Sequence, residues 1–322
     1  MKKIVVCGAG GFIGSHLVKR LKKQGHYVIG VDLKFPSFSD THADEFFIGD
    51  LRNSVFVEQI IPEQCDELYQ LAADMGGAGY IFSGEHDADV MHNSAQINLN
   101  IVQLGVTKRV KKVFYSSSAC IYPEYNQVDP LNPKCDEDSA YPAQPDSEYG
   151  WEKLFSERLY LSFKRNYGLD VKIARFHNIY GEESAWNNGK EKAPAALCRK
   201  IAQAKSKDTI EIWGDGMQTR SFLYIDDCLD AVESLMNSEF SGPFNIGSEE
   251  MISINDFTQL IAEIANKSIG IVSIDGPQGV RGRSSDNQQV EKYLNWRPRY
   301  NLKQGTKKMY FWVNKLVNEN KK

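Results

Sequence analysis

The sequence predicts an α/β fold, a doubly wound parallel sheet with a smaller, loop-rich α/β lobe. Three observations predict it. Through the first half, short β-branched runs alternate with longer amphipathic stretches, the pattern of parallel strands covered by helices. A glycine cluster separates the first such run from the first helix. From about residue 178 the alternation loosens into a Pro/Gly/Asn-rich stretch at 180–194 and shorter elements.

Strands are expected at Lys3–Cys7, Tyr27–Asp32, Glu67–Leu71, Lys112–Ser116 and Val171–Phe176, with helices over Phe12–Lys23, Asp87–Leu104 and Glu148–Asn166. Later helices fall near 195–205, 226–237, 255–266 and 302–318, with short strands between, and a Gly/Pro/Arg-rich loop covers 275–283. The length of 322 residues suits one large domain or two closely associated ones. A net charge of −4 offers no basic surface for nucleic acid or an anionic membrane. No apolar run approaches the ~20 residues that span a bilayer. The first residues run from two lysines straight into a strand, so the expected compartment is the cytoplasm. The six cysteines form no CxxC pair and read as reduced thiols, and the six histidines form no ligand set, so no metal is expected.

The cluster Gly8-Ala9-Gly10-Gly11-Phe12-Ile13-Gly14 has the spacing GxxGxxG at Gly8, Gly11 and Gly14. Such glycines turn the chain tightly and bring backbone N–H groups and a helix N-terminus to a pyrophosphate. Asp32, closing the second strand, can accept hydrogen bonds from adenosine ribose hydroxyls and would repel a 2′-phosphate, so NAD is favoured over NADP. Asp50 reads either as a partner of the adenine amine or as a solvated turn aspartate.

Tyr149-Gly150-Trp151-Glu152-Lys153 is a YxxxK sequence near a helix start, which puts the phenol and the ammonium on one side. A nearby cation lowers a tyrosine pKa from its usual ~10, making Tyr149 a general base for a sugar hydroxyl. Upstream, Ser116-Ser117-Ser118-Ala119-Cys120 ends a strand, where ligands bind in an open α/β sheet; these hydroxyls and this thiol are expected to point into the site. A thiolate at Cys120 can take a proton from carbon.

In this order, glycine loop, Asp32, serine-rich strand end and YxxxK resemble the extended branch of the short-chain dehydrogenase/reductase superfamily, with its Rossmann-type sheet, over nearly the whole chain. The resemblance implies that Ser118 hydrogen-bonds the reacting hydroxyl and that Lys153 also holds the nicotinamide ribose. It extends the cofactor contacts to Phe12, Ile13, Leu51, Leu71, Ala72, Ala73 and Ser116. Dehydratases of this superfamily carry an acidic pair where this chain has Ala119-Cys120, which argues against expulsion of water. The segments Ala72-Ala73-Asp74-Met75-Gly76-Gly77, Ser117–Pro123, Glu191-Lys192-Ala193-Pro194-Ala195-Ala196 and Gly279–Arg283 sharpen the resemblance to the GDP-mannose 3,5-epimerase family. In that family the matching cysteine and lysine are the acid/base pair, which implies Cys120 and Lys192. The related GDP-fucose synthases use a histidine where Lys192 stands.

The same resemblance implies a GDP-sugar substrate. Arg283, heading Arg283-Ser284-Ser285-Asp286, Arg220 and Lys200 are then expected at the diphosphate, and Gly76, Gly77, Ala119, Asn178, Glu191 and Gln218 nearby. Arg281 reads equally as structural, and His177 as a hydrogen-bonded strand-end residue. Residues 1–177, completed by 222–247, are expected to bind NAD, and 178–221 with 248–322 the nucleotide sugar. Helices 87–104 and 148–166 have apolar faces that read as core or as a dimer seam; the superfamily's habit implies a homodimer. Competing readings are an epimerase of a modified GDP-hexose or heptose, an epimerase-reductase, a nucleotide-sugar 4-epimerase, and an NAD-binding sensor, the last expected to lack Tyr149, Lys153 or Cys120.

Overall fold

The computed structural model describes residues 1–319, so the last three residues of the lobe read as 248–322 lie outside it. Seven parallel strands form the central sheet. They are β1 (Lys3–Cys7), β2 (Tyr27–Asp32), β3 (Glu45–Ile48), β4 (Glu67–Gln70), β5 (Lys112–Ser118), β6 (Val171–Phe176) and strand Phe244–Ile246. In space the order is Phe244–Ile246, β6, β5, β4, β1, β2, β3. The chain builds outward from β1 to β3, then returns to add β4 on the other side of β1. That reversal opens a crevice at the carboxyl ends of β1 and β4.

Both faces of the sheet are covered, so β1, β4, β5 and β6 are buried along nearly their whole length rather than on alternate residues. Ile4 and Val6 pack with α1 (Phe12–Lys23) and helix Ile225–Asn237. Val5 and Cys7 point the other way, toward α2 (Ser54–Ile60), α4 (Asp87–Thr107) and α5 (Glu148–Tyr167); α3 is the single turn Ala78–Ile81. Local chemistry sets the ends of α5. The Ser147 side chain accepts the Gly150 N–H, and Gly168 at φ 71° closes the C-terminus. Beyond the sheet, α6 (Ala193–Gln203) packs on helix Leu302–Glu319, and strand Thr209–Trp213 pairs in parallel with Gly270–Ile274.

The sequence reading set a strand ahead of Asp50 without bounds, which is β3, and left out α2, whose seven-residue run is too short for periodicity to stand out. It also ended the fifth strand at Ser116, two residues early. All six cysteines are free thiols. No helix among the described residues is long and apolar enough to cross a membrane.

Under the carboxyl end of β5, Arg175 and Glu157 form a bidentate ion pair at 2.9 Å through Nε and one terminal nitrogen of the guanidinium, with each side chain 3% exposed. Removing one partner strands a buried charge. Glu157→Ala is therefore expected to cost about 3–5 kcal/mol, read as a lower denaturant midpoint at an unchanged slope.

Candidate active site

The glycine loop sits where β1 meets α1. Gly8 adopts φ 85°, and its N–H donates to the Val31 carbonyl at 2.8 Å. A Cβ at Gly10 would lie 2.0 Å from the Lys34 carbonyl oxygen, and one at Gly14 the same distance from that of Gly8. The turn therefore closes only with glycine at these positions. Gly11 caps α1 with no side-chain hydrogen bond, which leaves the N–H groups of Phe12 and Ile13 available to an anion. Asp32 accepts the Gly10 N–H at 3.0 Å; its burial holds the carboxyl above the usual range against these backbone donors. Leu71 hydrogen-bonds the Cys7 carbonyl, and Ala72, followed by Ala73, lies across from Gly8, so the crevice continues along β4.

Asp50 sits in a turn and takes Arg52 through both oxygens, which lowers its pKa; this geometry is that of the solvated turn aspartate. Leu51 beside it is buried, with its carbonyl held by Asn100.

The serines at the end of β5 do not all face the crevice, contrary to expectation. Ser116 donates to the Gln70 carbonyl at 3.2 Å, and Ser117, on the opposite face of the strand, donates to Glu157 at 2.5 Å. Ser118 alone turns toward Tyr149 and accepts the Cys120 N–H. Tyr149 stands on the first turn of α5, pressed close because Gly150 touches the turn Ala119–Ile121. A Cβ there would lie 2.1 Å from the Cys120 carbonyl oxygen. Lys153 donates to the Ser116 carbonyl at 2.9 Å, its ammonium 5.7 Å from the Tyr149 ring centre.

The expected fall in the Tyr149 pKa is not found in the chain alone. Burial pushes the phenol well above its usual value, Ser118 drawing it only partly back, and burial also lowers Lys153.

Cys120 meets a partner that the sequence did not suggest. Arg283 donates to the Cys120 sulfur at 3.1 Å, to Gln127 at 2.5 Å and to Asp146 at 3.0 Å, with Arg283 and Asp146 both nearly buried. Asp286, at the end of the same Arg-x-x-Asp run, instead receives the Gln288 N–H at 2.9 Å. Arg220 binds the carbonyls of Thr219 and Gln278, and its pKa falls to about 10 through burial and then the Arg283 charge. Two guanidiniums thus converge in one cleft, an arrangement that favours an anion. Arg281 is structural, paired with Asp215 at the rim, and His177 is buried and bonded to Asn245.

Lys192 stands at the N-cap of α6, exposed where it lines the cleft, and desolvation by the surrounding protein holds its pKa below the usual lysine range. Glu191 lines the same cleft, with its carboxylate engaged by Arg199 at 2.8 Å and by the Gly189 N–H at 2.6 Å, contacts that also fix this loop. Gly77 allows the loop to close: a Cβ there would come within 2.3 Å of the Glu191 carbonyl oxygen, and one at Gly76 would strike Tyr80. Asn178 takes the left-handed region at φ 46° and donates to Ser221; Gln218 donates to the Trp213 carbonyl and Lys200 to that of Glu211. Gly76, Gly77, Ser118, Ala119, Cys120, Tyr149, Asn178, Lys192, Lys200, Gln218, Arg220 and Arg283 all line a single cleft of about 430 Å³. Asp146, Gln127 and Arg199 went unread in the sequence. Asp146 stands three residues before Tyr149, where an acidic residue near the YxxxK start was the one available signal.

The profile of the NAD dependent epimerase/dehydratase family matches residues 4–247. The chain belongs to that family. It is 44% identical over 323 residues to GDP-mannose 3,5-epimerase from Arabidopsis thaliana, covering 99% of this chain and 84% of that enzyme. In three dimensions it resembles UDP-glucose 4-epimerase from Thermotoga maritima with TM-score 0.86 at 25% identity, over 98% of this chain and 99% of that one. It also resembles MoeE5 in complex with UDP-glucuronic acid and NAD, with TM-score 0.80 at 25% identity over 98% and 99% of the two chains. NAD is the cofactor of this epimerase family, and the glycine turn, the uncapped start of α1 and Asp32 fit it.

Proposed function

We propose that the chain is a GDP-mannose 3,5-epimerase, converting GDP-D-mannose to GDP-L-galactose, GDP-L-gulose or both. The observation that carries this reading is that Cys120 and Lys192, from distant parts of the chain, line one cleft together with Ser118 and Tyr149. Bound along Gly8–Gly14, Asp32 and Lys153, NAD supplies the acceptor, and afterwards the donor, of the hydride at C4. Ser118 holds the C4 hydroxyl, and Tyr149 removes its proton. A ketone at C4 acidifies the protons of C3 and C5. Cys120 and Lys192 then take and return protons at these carbons from opposite faces of the ring. Lys192 is suited to both roles, because desolvation brings its neutral form within reach at a lower pH than for a free lysine. Arg220 and Arg283 hold the diphosphate, Arg283 while anchored on Asp146 and Gln127.

The domain reading rests on the same division of labour: 1–177 with 222–247 for NAD, and 178–221 with 248–322 for the GDP-sugar. A homodimer is supported by Leu99 on α4 and by Trp151 and Phe155 on α5, large apolar side chains left open to solvent. A cytoplasmic location fits a nucleotide-sugar substrate and six free thiols.

Purified protein given GDP-mannose without added cofactor is expected to yield C5 and C3 epimers, resolved by NMR, with no accumulation of NADH. Unchanged GDP-mannose, or a demand for one NADPH per product, would contradict the reading.

A further inference from the structure

We propose that Trp213 and Glu211 form the seat of the nucleobase and that Glu211 selects guanine by its Watson–Crick edge; this rests on the GDP-sugar reading above. Strand Thr209–Trp213 alternates along its length, Ile210 and Ile212 buried at 4% each, Thr209, Glu211 and Trp213 turned outward. Glu211 and Trp213 line the same cleft as Arg220 and Arg283, where the diphosphate is placed.

Trp213 is 41% exposed, a large ring left open in the cleft. It is held from behind: a Cβ at Gly276 would lie 2.4 Å from the indole, and one at Gly79 3.2 Å from its far edge. A rigid aromatic face of this kind is a stacking platform for a base. Among the described residues, the Glu211 carboxylate makes no hydrogen bond or ion pair; the partner of this residue is Lys200, whose ammonium donates to the Glu211 backbone carbonyl at 2.7 Å. Gln218, 5% exposed and lining the same cleft, has its side-chain oxygen buried without a donor while its amide is tied to the Trp213 carbonyl. Such an oxygen calls for a ligand N–H or O–H.

Guanine presents two donors side by side, N1–H and the 2-amino group, and a carboxylate accepts both through its two oxygens. Next to them lies O6, an acceptor for the remaining N–H groups of Lys200. Uracil sets its one N–H between two carbonyls, and adenine sets an acceptor beside its amine. Neither offers two adjacent donors, and each would turn a lone pair toward Glu211. Gln218 is left to accept from the ribose.

The test is calorimetric binding of GDP, IDP and UDP to the full-length, NAD-loaded protein. IDP keeps O6 and N1–H but lacks the 2-amino group. Wild type is expected to bind GDP about tenfold more tightly than IDP, and UDP more weakly still. Glu211→Gln is expected to lose at least about tenfold in GDP affinity and to bind GDP and IDP alike. Trp213→Leu is expected to weaken GDP and IDP by the same factor, keeping their ratio, because stacking does not read the base edge. A wild type without preference for GDP over UDP would overturn the GDP-sugar reading itself. A wild type that prefers GDP, with Glu211→Gln separating GDP from IDP as well as wild type does, would overturn the role of Glu211 alone.

Discussion

Tyr149→Phe is expected to lower kcat on the order of a hundred- to ten-thousand-fold while leaving the KM for the nucleotide sugar within a few-fold. The phenol oxygen is the only part removed, and the ring still packs in the cluster with Ile81 and Val90. A loss confined to kcat means that the missing interaction was made in the transition state rather than on binding. Burial alone holds the Tyr149 pKa high, so a usable base requires positive charge close by. Lys153 stands 5.7 Å from the ring centre, fixed by the Ser116 carbonyl, and is the cation that α5 itself brings there. Lys153→Met should therefore reduce kcat and also move its alkaline-rising limb to higher pH, since phenolate formation loses its support. A pH profile unchanged in shape would argue that Lys153 serves binding alone.

The second large effect concerns proton exchange at carbon. Cys120→Ala and Lys192→Ala are each expected to lower epimerisation by on the order of a hundredfold or more, while oxidation at C4 continues. The signature is specific: NADH absorbance should still appear transiently on mixing with GDP-mannose, but solvent deuterium should enter the sugar at a much reduced rate. Lys192→Ala removes a group whose ammonium is already held below the ordinary lysine range by desolvation. The wild-type exchange rate should accordingly rise with pH through a midpoint below the ~10.4 of free lysine, and this limb should vanish in Lys192→Ala but survive in Cys120→Ala. Loss of NADH formation in either variant would instead mark a residue needed to bind or orient the sugar.

How much of the site could be read in advance depended on the sequence distance between its parts. Gly8–Gly14, Asp32 and the pair Tyr149 and Lys153 are local patterns, each carried by one turn or one strand end, and their spacing alone conveys their geometry. The setting of Cys120 is not local. Arg283 reaches it across 163 positions and is itself anchored by Asp146 and Gln127 across 137 and 156. No periodicity encodes such contacts, which join residues that meet only in the folded chain. The serine run shows a different limit. Its place at a strand end was legible, but two further residues of strand place Ser116 and Ser117 against Gln70 and Glu157, leaving Ser118 to face Tyr149. Resemblance put Glu191 among the ligand contacts; it does line the cleft, and its bonds to Arg199 and the Gly189 N–H, which hold the loop presenting Lys192, were not legible. The direction of the Tyr149 shift was misjudged because spacing reports the neighbouring cation and not the burial, which is the larger effect.

Transient oxidation at C4 in the service of proton exchange at its neighbours is tested most directly by running the reaction in D₂O with GDP-mannose and locating deuterium in the recovered sugars by NMR. Epimerised product should carry deuterium at the inverted carbons, C5 and C3, and protium at C4, because the hydride that leaves C4 returns to it. Deuterium at C4, or inversion without any solvent label at C3 and C5, would contradict it.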